Sequence, residues 1–210
     1  MSGLSVALLA TLVAAMANWS TRVRPNQTLE TISKPLTTIL VIWVAVAADG
    51  SRGATVLAVI GLVFCLIGDI ALLDVVDKFV VGLGAFLVGH VVFIAMFATL
   101  HLNRPLWGLA AVAVLVPHAA IIGRRIVAGA AAQDATLKVP VSAYLFVVTA
   151  MAVVAVMTGR WWAALGAAFF VVSDTVLGWR AFVTEKKWMA LIVMVTYHAA
   201  LVGLALSLQP

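Results

Sequence analysis

Apolar residues run along this chain in long blocks, and polar residues fall into the gaps between blocks without alternating inside them. Breaks marked by Arg, Lys, Pro, Asn and Gly divide the chain into eight apolar segments, at residues 4–19, 35–48, 54–73, 79–99, 105–122, 139–158, 161–179 and 188–208. At ~1.5 Å of rise per residue, a helix of that length crosses, or nearly crosses, ~30 Å of hydrocarbon. The first two segments are short, so tilting or local thinning of the bilayer is expected there. Barrel strands would show short alternating patterns, which are missing, and helices satisfy their own backbone groups in lipid. The pattern predicts an all-α, polytopic membrane helix bundle with eight transmembrane helices, forming a single transmembrane domain over residues 1–210.

Composition strengthens this expectation. Hydrophobic residues make up 65% of the chain and charged residues 10%, and the mean hydropathy is +1.18. Soluble domains run nearer 45–50% apolar and about 25% charged. The stretch "LSVALLATLVAAMA" ends in the small-x-small pattern Ala15-Met16-Ala17. It lacks the basic start of a signal peptide and is taken as the first span. Cys65 is the single cysteine, so neither a disulfide nor a thiolate metal site is expected.

The net charge of +5 does not point to nucleic acid, because the basic residues are scattered through short loops instead of gathered on one face. They act as topology signals. Arg22, Arg24, Lys34, Lys78, Arg124, Arg125, Lys138, Arg180, Lys186 and Lys187 fall in the odd-numbered loops, and only Arg52, Arg104 and Arg160 fall in the others. This bias places the odd loops in the cytoplasm and both termini on the opposite side. Trp19, Trp107, Trp161, Trp162, Trp179 and Trp188 lie at the expected span ends, where indole prefers the interface. The Ala- and Val-rich composition points to a bacterial inner membrane.

A weak internal repeat emerges at an offset of half the chain. "GLVFCLIGDIAL" (61–72) aligns with "GAAFFVVSDTVL" (166–177) at a glycine, a phenylalanine, the aspartate and a leucine. Lys34-Pro35 then faces Lys138-Val139-Pro140, and Gly89-His90 faces Tyr197-His198. Four spans per half would make this a parallel duplication, over residues 1–103 and 104–210, with a site between the halves.

Ionisable residues inside the spans are costly, and face a bundle interior or a watery cavity. Asp69 sits ~6 Å along the helix from the basic end of span three, and Asp174 lies at matched depth in span seven. Lys34, Tyr144 and His118 belong to the same layer, while His90 and His198 lie near mid-membrane. Each has a plainer reading: a structural hydrogen-bonding partner for either aspartate, a snorkelling topology charge for Lys34, a packing residue for His90 or His198. His118, beside Pro117, is expected to support helix geometry, and Gly82, Gly84 and Gly89 to permit close packing. Two carboxylates in one low-dielectric cavity cannot both stay ionised at equal cost, so one would carry a proton and the other a charge. Such a pair divides general acid and general base work. No nucleophile elbow accompanies any serine, and no metal or other cofactor is expected.

The ordered set Lys34-Pro35-Leu36-Thr37-Thr38, Gly68-Asp69, Gly89-His90, Ser173-Asp174 and Tyr197, spread over eight spans in 210 residues, resembles the YhhN-type lysoplasmalogenase family along nearly the whole chain. The resemblance implies hydrolysis of the vinyl ether bond of a lysoplasmalogen, or a related single-chain ether phospholipid, to a fatty aldehyde and a glycerophospho-head group. It implies Asp69 and Asp174 as catalytic residues. Lys34 and Tyr144 would meet the lipid phosphate, and His90, Tyr197 and His198 would orient the pair or relay protons. Two rival readings stay open: a small-molecule or proton-coupled transporter, and a lipid-binding or assembly protein without turnover.

Overall fold

The computed structural model describes residues 2–209, and among them it contains helices and turns but no strand. Eight helices are long and apolar enough to cross a membrane: α1 (Gly3–Val23), α2 (Gln27–Ala47), α3 (Arg52–Ala71), α4 (Phe79–Thr99), α5 (Trp107–Gln133), α6 (Lys138–Met157), α7 (Trp161–Phe182) and α8 (Met189–Leu206). Large apolar side chains point outward, as Val13, Leu109, Val114 and Phe146 do. Lys34, Thr38, Asp69, His90, Asp174 and His198 are buried. A soluble protein would not expose so much apolar surface; the chain is built as an integral membrane protein.

Two spans depart from the expected boundaries. The second helix begins at Gln27, not at Pro35, because Asn26 caps it: the Leu29 N–H donates to Asn26 Oδ1 at 2.9 Å. Proline usually opens a helix, but membrane helices tolerate it within, where neighbouring groups re-satisfy the freed carbonyl. Lys34 therefore lies two turns inside α2 instead of at its mouth, and is 6% exposed. The fifth span runs on to Gln133. Pro117 has no N–H for the ladder and its ring crowds the carbonyl four residues back; just beyond it the helix widens into a π-turn at Ala119–Gly123. Helical geometry then resumes over Arg124–Gln133. Arg124 and Arg125 are thus helical residues, and Lys138 opens α6. The loop between them contracts to a short turn capped by Asp134, whose Oδ1 accepts from both the N–H and the hydroxyl of Thr136. Those two donors hold the Asp134 carboxyl below the usual carboxylate range.

The helices pack as a ring in the order α2, α3, α4, α6, α7, α8, with α8 returning to α2. Outside this ring, α1 covers α2 and α8, and α5 lies against α6 and α7. The α7–α8 crossing is close enough to need bare backbone: a Cβ on Gly203 would lie 2.7 Å from Gly166 Cα, and one on Gly166 would lie 2.7 Å from Leu204 N. Close approach through small residues is how membrane helices gain packing without a hydrophobic drive between them. At the ring's centre, Phe86, Phe93, Phe170, Met151 and Leu201 belong to one buried cluster, and the polar residues sit on its basic side.

Candidate active site

Asp69 lies in the last turn of α3, two residues before its end at Ala71, and is fully buried. Its Oδ2 accepts two hydroxyl hydrogen bonds, from Thr38 on α2 at 2.5 Å and from Tyr197 on α8 at 2.9 Å. Lys34 Nζ donates to the Asp69 carbonyl oxygen at 3.1 Å and stands 3.8 Å from Oδ1. Lys34 and Thr38 are one helical turn apart on one face of α2, which is why both reach the same carboxylate. Among the described residues Oδ1 itself has no hydrogen-bond partner. A buried acceptor without a partner is costly, so the ammonium beside it is part of what makes the site tenable.

Asp174 on α7 has a different set of partners. Tyr144 on α6 donates to its Oδ2 at 2.9 Å, and His90 Nε2 on α4 lies 3.6 Å from the same oxygen. His90 Nδ1 lies 2.6 Å from the Phe86 carbonyl. A carbonyl only accepts, so Nδ1 carries the hydrogen. In the neutral ring Nε2 is then a lone pair facing a carboxyl oxygen, and among the described residues it has no hydrogen-bond partner. A single proton, on Nε2 or on Asp174, turns this repulsive contact into an attractive one.

Aromatic rings fill the space between the two carboxylates. Phe170 meets His90 at 4.4 Å and Tyr197 at 5.7 Å between ring centres, and Phe86 meets Tyr197 edge-on at 5.7 Å. Phe86 can lie there because residue 68 is glycine: a Cβ would come within 2.6 Å of its ring. Ser173, next to Asp174, donates to the Val193 carbonyl at 3.1 Å and fixes α7 against α8.

Both carboxylates line one pocket of about 130 Å³. It opens at the basic end of the bundle, where Arg22, Glu30, Asp74 and Arg180 form its rim and Lys34 and Tyr197 its inner wall. Arg22 pairs with Glu30, and Arg180 pairs with Glu185 at 2.6 Å. A second, apolar cavity of about 30 Å³ lies on another side of Asp174, walled by Leu83, Ile126, Leu145 and Phe182. Among the described residues no group of three or more His, Cys, Asp or Glu side chains is gathered as a metal ion would require. The buried Cys65 thiol is free.

Of the residues singled out in the sequence, Lys34, Asp69 and Tyr197 form one hydrogen-bonded group, while Tyr144 donates to Asp174 and His90 stands beside that carboxylate at 3.6 Å. Tyr144 spends its hydroxyl on Asp174 instead of standing free at the interface. His198 is bound elsewhere: its Nδ1 accepts from the Trp19 indole at 3.0 Å, and neither aspartate is its partner. His118 lies at the start of the π-turn, 3.0 Å from Thr175 Oγ1. Thr38 was visible in the sequence only as part of a motif; its spacing of four from Lys34 was the signal of its role. Phe86 and Phe170 carry no such signal, since an aromatic ring in a membrane helix looks the same wherever it points.

Comparison with curated proteins gives no match, and comparison with solved structures gives none. The model of the YhhN family, in contrast, matches residues 29–208. That stretch contains both aspartates, all of their hydrogen-bonding partners and every helix after α1 apart from the first two residues of α2. The chain belongs to the YhhN family.

Proposed function

We propose that the protein is a lysoplasmalogenase-like membrane hydrolase, which cleaves the vinyl ether bond of a lysoplasmalogen or related single-chain ether phospholipid. The observation that carries the reading is the pair of unlike aspartates on one pocket, Asp69 beside a lysine and Asp174 beside an imidazole. Family membership is compatible with it.

The chemistry needs an acid that protonates the outer alkene carbon, a negative charge beside the oxocarbenium ion this creates, and a base for water. Among the described residues no lysine or arginine pairs with Asp174, and only the His90 imidazole stands beside it, so it serves as the proton donor. Asp69 is balanced by Lys34, so it remains a carboxylate and stabilises the developing positive charge, as electrostatic preorganisation requires. Water then adds to the cationic carbon and gives its proton to a carboxylate. The hemiacetal collapses as the ether oxygen regains a proton, releasing fatty aldehyde and the glycerophospho-head group. Atoms balance with water as the only co-reactant, and the acid returns to its starting state.

In this reading the basic end faces the cytoplasm of a bacterial inner membrane and both termini lie on the other side. During the reaction the phosphate lies at the rim beside Arg22 and Arg180, and the hydrocarbon chain stays among apolar helices. The test is to incubate purified protein with lysoplasmalogen and measure aldehyde. Its release supports the reading. Uptake of lipid or of a small solute into sealed vesicles with no aldehyde would replace it with transport. Binding with neither outcome would leave a lipid-binding protein.

A further inference from the structure

The fifth helix is set apart from the rest of the bundle. Only 11% of its apolar stretch is buried, against 61% for α8. Between α5 and α6 this leaves a groove of about 990 Å³, walled by Val116, Ala120, Ala150 and Val153. That volume matches the ~300–1,000 Å³ of pockets that hold a whole small ligand. The groove faces outward, toward the hydrocarbon, since Val116 is 53% exposed.

Two features give the groove a chemical address. Arg124 and Lys138 both line it, and neither forms an ion pair among the described residues. Arg124 lies just beyond the π-turn of α5 and Lys138 opens α6, so two unneutralised cations cap one end of an apolar trough. A small cavity joins the wall of the groove to Asp174. Gly123, Leu145 and Thr149 line both the groove and a cavity of about 10 Å³ that ends on Asp174. His118 and Thr175 stand across this cavity. The Thr175 hydroxyl donates to the Val171 carbonyl at 2.6 Å, so the hydrogen in its contact with His118 comes from the imidazole Nε2. At about the size of one water the passage admits no lipid chain as it stands, and it lies at the π-turn, a kind of helix defect found frequently at functional sites.

We propose that the α5–α6 groove is the docking site of a single-chain phospholipid, with its phosphate held by Arg124 and Lys138 and its hydrocarbon chain lying between α5 and α6. Movement of α5 about the π-turn, breaking the His118–Thr175 hydrogen bond, then opens the way to Asp174. The identity of the lipid rests on the proposed hydrolysis; the docking does not.

A single-chain phosphocholine lipid with a diazirine in its chain tests this on the full-length protein in nanodiscs. After illumination, the labelled peptides are mapped by mass spectrometry. Label is expected to concentrate on residues 112–127 and 142–154, and to be displaced by unlabelled single-chain lipid but not by an equal concentration of two-chain lipid. Ala120→Phe, which fills the groove from an exposed position, should lower that labelling at least fivefold. Arg124→Gln with Lys138→Gln should raise the displacing concentration about tenfold. Label spread over all outward-facing helices, equal displacement by two-chain lipid, or insensitivity to all three substitutions would overturn the proposal. Because the readout is label, groove labelling without aldehyde release leaves docking standing while hydrolysis falls. Aldehyde release without groove labelling does the reverse.

Discussion

Tyr197 on α8 donates a hydrogen bond of 2.9 Å to Asp69 on α3, across 128 positions of sequence. The counterpart on the other carboxylate is His90 on α4, 3.6 Å from Asp174 on α7. Each aspartate also takes a hydroxyl from the second span of its own half, Thr38 for Asp69 and Tyr144 for Asp174. The two sites are thus cross-braced, each half lending its fourth span to the other half's acid. This is the arrangement that a parallel duplication would produce, and we keep the duplication as a proposal on that ground. The halves diverge in chemistry: a lysine attends one aspartate and an imidazole the other.

Because Tyr197 and Tyr144 both pack by their ring edges and bond by their hydroxyls, replacing either with phenylalanine separates the two roles. Tyr197→Phe and Tyr144→Phe should each slow aldehyde release roughly tenfold or more, a barrier change of about 1.4 kcal/mol per tenfold. Each carboxylate also loses a buried donor, so melting temperatures in detergent should fall modestly. A large drop in stability with unchanged turnover would make the tyrosines structural.

Among the described residues Lys34 is the one cation paired with the buried Asp69. Lys34→Met leaves that carboxylate uncompensated, which typically costs about 3–5 kcal/mol. Adding Asp69→Asn to it should restore most of the lost stability, because both partners of the pair are then gone. Denaturation of the two single variants and the double variant measures the coupling; simple additivity would mean that Lys34 and Asp69 do not act as a pair.

Gly166 and Gly203 meet where α7 crosses α8. Gly166→Val should force the helices apart, costing about 1–3 kcal/mol as overpacking does, and displace Ser173 and Asp174 with α7. Lower melting temperature together with reduced turnover is expected. An unaltered melting temperature would show that the crossing is looser than described.

Protonation at carbon leaves a mark that other routes to aldehyde do not. Turnover in heavy water should deliver one deuterium to the aldehyde carbon next to the carbonyl, detectable by mass spectrometry after immediate reduction to the alcohol. Product without deuterium at that carbon would rule out Asp174 as a donor to the alkene.

The number and class of elements were legible in the sequence because lipid imposes its own length on apolar runs: eight segments became eight helices. The boundaries that moved did so for local reasons. Pro35 and Arg124 look like the edges of spans, yet Asn26 caps α2 earlier, and the turn beyond Pro117 lets α5 continue. Asp69 and Asp174 stood out because a carboxylate in hydrocarbon needs an explanation. Their partners were less legible. Tyr144 and Tyr197 were recognisable as polar residues at the correct depth, but nothing in a one-dimensional pattern tells which carboxylate a tyrosine will reach. His198 illustrates the limit: it is adjacent to Tyr197, and a helix turns adjacent residues about 100° apart, so the histidine meets Trp19 while the tyrosine meets Asp69.

The central claim is that Asp69 and Asp174 act together on one lipid. It is tested most directly by measuring aldehyde release from lysoplasmalogen by the wild type, Asp69→Asn and Asp174→Asn, each checked for folding. The account predicts release by the wild type and losses of roughly 10²–10⁴-fold in both variants, the range for removing a general acid or base. No aldehyde from the wild type, or a wild-type rate in either variant, would contradict it.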